Sequence, residues 1–348
     1  MRGRAIYRLP FAKECVTVAG EVHRLDPSMV LNKINGFLIE PFIATKEESA
    51  LYIESEVVTK YDSSNIPSIE GFDIPVSADF IDRSLTREEY NSHFEYYKKC
   101  ITDGLLKKGV FVRRMNHETE ESHAPLTLFR KACEMYPRMM VALFSTPISG
   151  TWIVCTPELL LERISENVYH TTAIAGSKPL SELGEDWSPR VLKDINDVKN
   201  HILKTLEHFS HKIKVSGPET VRAGDLLHLR TDIIFEIIFP RVEGVLVRTL
   251  HPSPCVCGIP RDASYELIIE LNTANKQKRH FFGGSMGPVN IDDKTNIYVI
   301  LHSMQLHSMH RQTIYEGISI YENSDADEKW IETKEKLDSM LKLINACK

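Results

Sequence analysis

An α+β fold, with large antiparallel sheets covered by helices, is the class this sequence predicts. Three observations lead there. Short strand-like runs crowd residues 5–57, helical patterns interrupt later strands without the rhythm of a parallel sheet, and the composition is that of an ordinary globular protein. Of 348 residues, 42% are hydrophobic and 26% charged, with 17 Gly and 17 Pro, which excludes a disordered or fibrous chain. A chain of this length buries a core without staples, as one large domain or two.

Ala5 to Leu9, Cys15 to Ala19, Gly36 to Ile43 and Leu51 to Val57 read as strands, separated by charged or Pro-containing breaks. Thr86 and Glu89 then form a T-x-x-E capping box. Tyr90, Phe94, Tyr97 and Ile101 follow at helical spacing, which predicts an amphipathic helix to about Leu106, stopped by Gly109. Val110 to Val112 read as a strand, so Lys108 falls at a helix-to-strand junction, from which a side chain can reach a cleft. A second helix starts at Pro125 and ends before Pro137. Met139 to Phe144 and Thr151 to Cys155 read as a hairpin closed by Pro-Ile-Ser-Gly. Arg190 to Lys212 carries Ile202, Leu203, Leu206 and Phe209 at helical spacing, and Asp262 to Leu271 and Ser324 to Ile344 are further helices, the last with acidic residues in its first turn. His280 to Gly283, Ile297 to Gln305 and Thr313 to Tyr321 complete the strands.

Forty-two Lys and Arg against 48 Asp and Glu give a net charge of −6. That argues against nucleic acid or an anionic membrane as partner, and a small anionic ligand would need a locally basic pocket. The longest apolar runs, Met139 to Phe144 and Ile233 to Phe239, fall far short of the roughly 20 residues that span a bilayer. Met1-Arg-Gly-Arg opens like the basic end of a signal peptide, but Arg8, Lys13 and Glu14 interrupt any apolar segment, so a cytoplasmic protein is expected. Seven cysteines lie scattered. Cys255 and Cys257 form a C-x-C without the second pair a zinc site requires, and reduced, buried thiols are expected. Neither G-x-G-x-x-G nor G-x-x-x-x-G-K occurs. Gly283-Gly284-Ser285-Met286-Gly287 reads either as a tight strand-to-strand turn or as backbone approaching a ligand. His302, His307 and His310 cluster without sharing one face, as a metal site would need.

Five separated segments stand above this background: Thr156-Pro157-Glu158, Ala173-Ile-Ala-Gly-Ser-Lys-Pro179, Leu250-His-Pro-Ser-Pro-Cys-Val-Cys-Gly-Ile-Pro-Arg261, Phe282-Gly-Gly-Ser-Met-Gly287, and Ser324-Asp through Trp330-Ile-Glu-Thr-Lys-Glu-Lys336. In this order they resemble the chorismate-utilising enzymes, a family that includes isochorismate synthase, salicylate synthase and the large subunits of anthranilate and aminodeoxychorismate synthases. The third segment is close to the family's LHPTPAVCGxPR, and the resemblance runs from about Phe94 to the end. It implies an anthranilate-synthase-like α/β sandwich, two large antiparallel sheets with helices outside. The chain would be a single chorismate-binding domain over 1–348, with a divergent strand-rich part at 1–90 and a family-like catalytic core at 91–348.

The resemblance also implies roles. Lys108-Gly-Val-Phe-Val-Arg113 is similar to the K-V-V-L-x-R of the branch that adds water, whose lysine deprotonates that water; the ammonia-using branch has glutamine there. Ala175 differs from the lysine of aminodeoxychorismate synthases. The match is therefore most like an isochorismate synthase of menaquinone or catechol-siderophore biosynthesis. Water would attack C2 of chorismate while the C4 hydroxyl leaves, with Lys108 as base and Glu158 as acid. Such a lysine needs desolvation or nearby positive charge to lose its proton near neutral pH, and such a glutamate must be held neutral. Ala175, Gly176, Ser177, His251, Ser253, Gly284, His302, Gly317 and Lys336 fall on substrate positions. Mg²⁺ would be held by Glu332 and by a residue of the family's K-x-x-x-E-H, for which Lys193-Asp-Ile-Asn-Asp197 offers Asp197 and a three-residue shift offers Asn200-His201. Three departures stand out: His302 replaces a substrate-binding arginine, Ser319 a glycine, and Lys329 a glutamate beside the expected metal. They keep open a chorismate-binding relative without turnover, and salicylate formation is a further alternative. A monomer is expected, with a dimer as the alternative.

Overall fold

Alternation of buried and exposed side chains sets the N-terminal residues into strands β1 (Arg2–Arg8), β2 (Glu14–Arg24), β3 (Gly36–Glu40), β4 (Leu51–Glu54) and β5 (Val57–Asp62). The structure, a computed structural model, describes residues 1–25, 31–72, 74, 80, 82–238, 242–273 and 278–347. Beyond β5 come helix α1 (Arg87–Thr102), β6 (Lys108–Glu118), α2 (Pro125–Met135), the hairpin β7 (Met140–Thr146) and β8 (Gly150–Thr156), β9 (Leu159–Arg163), β10 (Val168–Pro179), α3 (Pro189–Leu206), β11 (Ser210–Ala223), β12 (Leu226–Ile237), α4 (Glu243–Leu250), β13 (Gly258–Ile259), α5 (Arg261–Thr273), β14 (Ser285–Val289), β15 (Asn296–Val299), β16 (Ser303–Leu306), β17 (Arg311–Ile320) and α6 (Ala326–Asn345).

The described strand pairs are antiparallel and make two sheets. One runs β5-β2-β1-β7-β8-β16-β17-β6-β13; the other runs β2-β4-β3-β14-β15-β9-β10-β12-β11. Strand β2 joins them, because Glu14–Ala19 pairs with β5 and Val22–Arg24 with β4. Their inner faces interdigitate through Val18, Phe37, Ile39, Phe144, Trp152, Tyr298 and Tyr315, each worth roughly 1.5–3 kcal/mol of burial for the smaller side chains and more for the rings. Helices cover the outer faces. Leu128, Phe129, Leu337 and Leu343 pack α2 and α6 on the first sheet, and Ile195, Val198, Leu246 and Ile268 pack α3, α4 and α5 on the second. The predicted sandwich of two antiparallel sheets flanked by helices is thus observed.

Local signals fared unevenly. Thr86 and Glu89 form the reciprocal capping box at α1, but that helix ends at Thr102, where Gly104 takes φ 78°, well before Gly109. Gly109 lies in β6, where a Cβ would stand 2.3 Å from the Tyr97 ring. Helix α3 ends at Leu206, short of the predicted Lys212, and the chain turns into the exposed edge strand β11. His280 to Gly283 form a turn, and the strand there is Ser285–Val289. Gly284 packs against backbone: a Cβ would stand 2.0 Å from the Glu40 carbonyl oxygen. The run Gly283 to Gly287 also has G-x-S-x-G spacing, but Ser285 sits within a strand and its hydroxyl donates to Glu40 Oε2 at 2.5 Å, unlike the strand-to-helix elbow that exposes a nucleophile. The predicted strand Ile297 to Gln305 is divided at His302, which has φ 39°. All seven cysteines are free. Among the described residues no helix is long and apolar enough to cross a membrane.

Candidate active site

A cavity of about 160 Å³ opens where the ends of β6, β8, β10, β12 and β17 meet helices α3 and α6. Its wall is built by three local devices. Strand β10 slips register between Ala175 and Lys178, with Gly176 at φ 71° and Val191 and Trp187 leaving no room for a Cβ there, so Ala175, Gly176 and Ser177 present a bulge to the cavity. Glu158 follows β8 through Pro157, and its backbone carbonyl accepts from Val299 at 3.0 Å. Helix α6 delivers Lys329, Glu332 and Lys336 on one face, by their i, i+3, i+7 spacing.

Lys108, the first residue of β6, is 2% exposed. Complete burial pushes its ammonium pKa down, but Asp194 of α3 accepts from Nζ at 2.8 and 3.1 Å, and this charge and the lesser influence of Tyr321 outweigh burial, so the pKa is raised. The Tyr321 ring lies 5.8 Å from Nζ. The expectation of a lysine poised to be neutral is therefore corrected: the desolvation it called for is present, but the facing Asp194 carboxylate outweighs it, and this lysine rests as an ammonium in a buried ion pair.

Glu158 has the opposite setting. Burial raises its pKa to about 7, against lowering contributions from Ser253 and Lys108, and Ser253 Oγ donates to Oε1 at 2.9 Å. Near neutral pH this carboxyl group carries a proton about half of the time, the condition for an acid that must give one up.

On α6, Glu332 accepts from Lys329 Nζ at 2.5 Å through Oε2 and pairs with Lys336 Nζ at 3.0 Å through Oε1. Burial raises the Glu332 pKa, the two ammonium groups lower it, and the net value is about 2. Lys336 also donates to the Gly317 carbonyl at 3.0 Å. Lys329 thus points inward and holds the carboxylate expected to bind metal.

The other expected ligand, Asp197, is exposed on the outer face of α3, as is Asn200, and Asp197 is absent from the cavity wall. The residue that α3 turns inward is Asp194, three positions earlier. With Asp194 engaged by Lys108, Glu316 by His302 at 2.7 Å, and Glu332 by two lysines, the donor set does not fit Mg²⁺, a cation that needs free oxygen ligands. Among the described residues no group of three or more His, Cys, Asp or Glu side chains could hold a metal ion.

Of the substrate positions, Ala175, Gly176, Ser177, His302, Gly317 and Lys336 line the cavity, whereas His251, Ser253 and Gly284 do not. His251 is half-buried, edge-on to Phe42, with neither of its buried ring nitrogens hydrogen-bonded, and Ser253 acts on the site through its hydrogen bond to Glu158. Sequence reading missed Asp194, His228, Glu316 and Arg190, all in the wall. His228 is fully buried, which pushes its pKa down to about 3. Its Nδ1 lies 2.8 Å from the Gly176 carbonyl, so the neutral ring carries its proton there and leaves buried Nε2 a bare acceptor.

The family model described as chorismate binding enzyme matches residues 37–345. The vibriobactin-specific isochorismate synthase of Vibrio cholerae serotype O1 is 24% identical over 269 residues, covering 74% of this chain and 67% of that protein. Isochorismate synthase DhbC of Bacillus subtilis is 25% identical over 272 residues, covering 73% and 67%. Anthranilate synthase component 1 of Saccharomyces cerevisiae is 23% identical over 348 residues, covering 95% and 67%. Among solved structures, a putative 2,3-dihydroxybenzoate-specific isochorismate synthase of Bacillus anthracis superposes with a TM-score of 0.79 at 20% identity, covering 98% of this chain and 95% of that one. The menaquinone-specific isochorismate synthase of Escherichia coli superposes with 0.77 at 16% identity, covering 98% and 88%.

Proposed function

This chain belongs to the chorismate-binding enzyme family, and from that premise we propose that it is an isochorismate synthase-type isomerase acting on chorismate. Water adds at C2 of the ring while the C4 hydroxyl departs. Glu158 protonates the departing hydroxyl, which leaves as water. Lys108 and Asp194 act as one base: the attacking water gives a proton to Nζ as Nζ passes one to the Asp194 carboxylate, so the pair ends with a single extra proton. That proton returns to Glu158 through bulk water or along the cavity, and the enzyme is regenerated.

The observation that carries this reading is the pairing, in one small cavity, of a carboxyl group held half-protonated near pH 7 with a buried ammonium–carboxylate pair. These are the opposed acid and base that exchanging one hydroxyl for another demands. The names of the relatives, isochorismate synthases of siderophore and menaquinone type, favour the same substrate and a biosynthetic role beside an enzyme that consumes isochorismate.

A second reading is a chorismate-binding protein without turnover, favoured by the raised pKa of Lys108. Incubating the purified chain with chorismate and separating isochorismate, salicylate and unreacted substrate by chromatography distinguishes them. Isochorismate that disappears in Lys108→Ala supports the first reading, calorimetric binding with no product supports the second, and salicylate as the main product overturns the assignment of reaction.

A further inference from the structure

One feature of the cavity fits neither a metal site nor a plain structural ion pair. Lys329 and Lys336 grip a single carboxylate, Glu332, at the cavity's α6 side, and Arg190 of α3 lines the same cavity close enough for its charge to act on Lys329. Three permanent or near-permanent cations against one anion leave an excess charge of +2 there. Elsewhere in the wall Lys108 pairs with Asp194, His302 Nδ1 lies 2.7 Å from Glu316 Oε1, and Glu158 is the half-protonated acid.

The three cations also keep donors to spare. Lys329 spends one N–H on Glu332 and Lys336 spends two, on Glu332 and the Gly317 carbonyl, out of three each. Arg190 stacks its guanidinium on the Tyr321 ring at 5.0 Å and has no hydrogen bond or ion pair among the described residues. Burial pushes the Lys329 pKa down, Glu332 opposes this, and the positive charges of Arg190 and Lys336 depress it further, as expected of cations that face one another across a shared space. Lys329 is 6% exposed. An excess of mutually repelling cations with free donors, one of them buried, is a receptor for an anion.

We propose that Lys329, steadied by Glu332 and joined by Lys336 and Arg190, binds a carboxylate of a small dicarboxylate ligand directly, in the role a divalent cation would play, so that ligand capture requires no metal. This rests on the reading of chorismate as ligand. Glu332 acts here as a positioning residue: it holds two ammonium groups in place and does not touch a metal. Lys329→Glu would remove that cation and set two carboxylates side by side, an arrangement that attracts a divalent ion.

The test is calorimetric titration of the whole chain with chorismate, in EDTA and in excess MgCl₂. The wild type is expected to bind equally in both buffers. Lys329→Gln is expected to bind about tenfold more weakly in both, and Arg190→Gln, an exposed position where folding is not at stake, about threefold or more weakly. Lys329→Glu is expected to bind only with Mg²⁺ present. A wild type whose affinity rises about tenfold with Mg²⁺ overturns this inference and leaves the proposed function standing. Unchanged affinity in both Lys329→Gln and Arg190→Gln also overturns it. A wild type that binds chorismate in neither buffer overturns the proposed function, and this inference with it.

Discussion

Replacing Asp194 by asparagine isolates the buried pair at the centre of the cavity. The change keeps size and shape and removes one charge. Lys108 Nζ donates to both oxygens of that carboxylate, at 2.8 and 3.1 Å, and the residue is 2% exposed. Two unit charges at such a distance attract by about 6 kcal/mol at an effective dielectric of about 20. An amide oxygen recovers part of this, and the stranded lysine can shed its proton, so Asp194→Asn is expected to lower stability by about 3–5 kcal/mol, the range for breaking a buried pair by removing one partner. Guanidinium unfolding at neutral pH reads this as a fall in midpoint with unchanged slope.

The pH dependence supplies a second, independent sign. In the wild type the folded pKa of Lys108 lies above its unfolded value. Its contribution is therefore fully present below about pH 10.4 and is lost only as pH rises through the folded value. In Asp194→Asn burial acts without an opposing anion and the folded pKa falls below the unfolded one. The unfolded chain then binds more protons, and stability must rise with pH between neutral and about pH 10. Turnover should fall as well, because the accepting carboxylate is gone. A loss below about 1 kcal/mol, or a variant with the wild-type pH slope, would refute the buried ion pair; faster turnover would refute its role as a joint base.

Glu158→Gln should abolish isochorismate formation while chorismate still binds, and the wild-type rate should decline as pH rises through about 7, the folded pKa of this acid. Because that pKa is raised, the folded chain holds a proton the unfolded chain has released between about pH 4.5 and 7, so wild-type stability should fall across that window by on the order of 3 kcal/mol, and Glu158→Gln, followed by thermal melts, should lack that part of the decline. Gly176→Ala should destabilise by about 1–3 kcal/mol, since φ is 71° and the new Cβ would stand 2.4 Å from Val191 Cγ1; a variant as stable as wild type would mean that the β10 bulge relaxes freely. His302→Gln should weaken the fold by about 1–3 kcal/mol by removing a partner of buried Glu316, with denaturant midpoints as the readout.

What the sequence disclosed follows from where its signals were physical. The capping box, the hairpin through Pro147 to Gly150 and the antiparallel α+β class came through because each is written in neighbouring residues or in a two-residue alternation, whereas the division into two sheets was implied by the family resemblance. Asp197 misled because spacing alone was compared. Phase was available: Ile195, Val198, Ile202 and Leu206 form the buried stripe of α3, Asp194 is four residues before Val198 and shares that face, and Asp197 stands about 200° around from Ile195. Strand β11 was not legible, since its side chains are mostly exposed and carry no alternation to read; Lys212, Lys214 and Pro218 instead suit an edge that avoids further pairing. The raised pKa of Lys108 was equally hidden, because its partner lies 86 residues away in the chain. Lys329 was noticed as a reversed charge, but only the fold shows that it faces the cavity and grips Glu332.

The most direct test of the account follows the oxygen atom. The chain is incubated with chorismate in water enriched in heavy oxygen, and the products are separated and weighed by mass spectrometry. Addition of solvent at C2 with loss of the C4 hydroxyl predicts isochorismate carrying one heavy oxygen, formed by the wild type and not by Glu158→Gln. Unlabelled isochorismate, or none from a preparation that binds chorismate, would contradict the reaction proposed for this cavity.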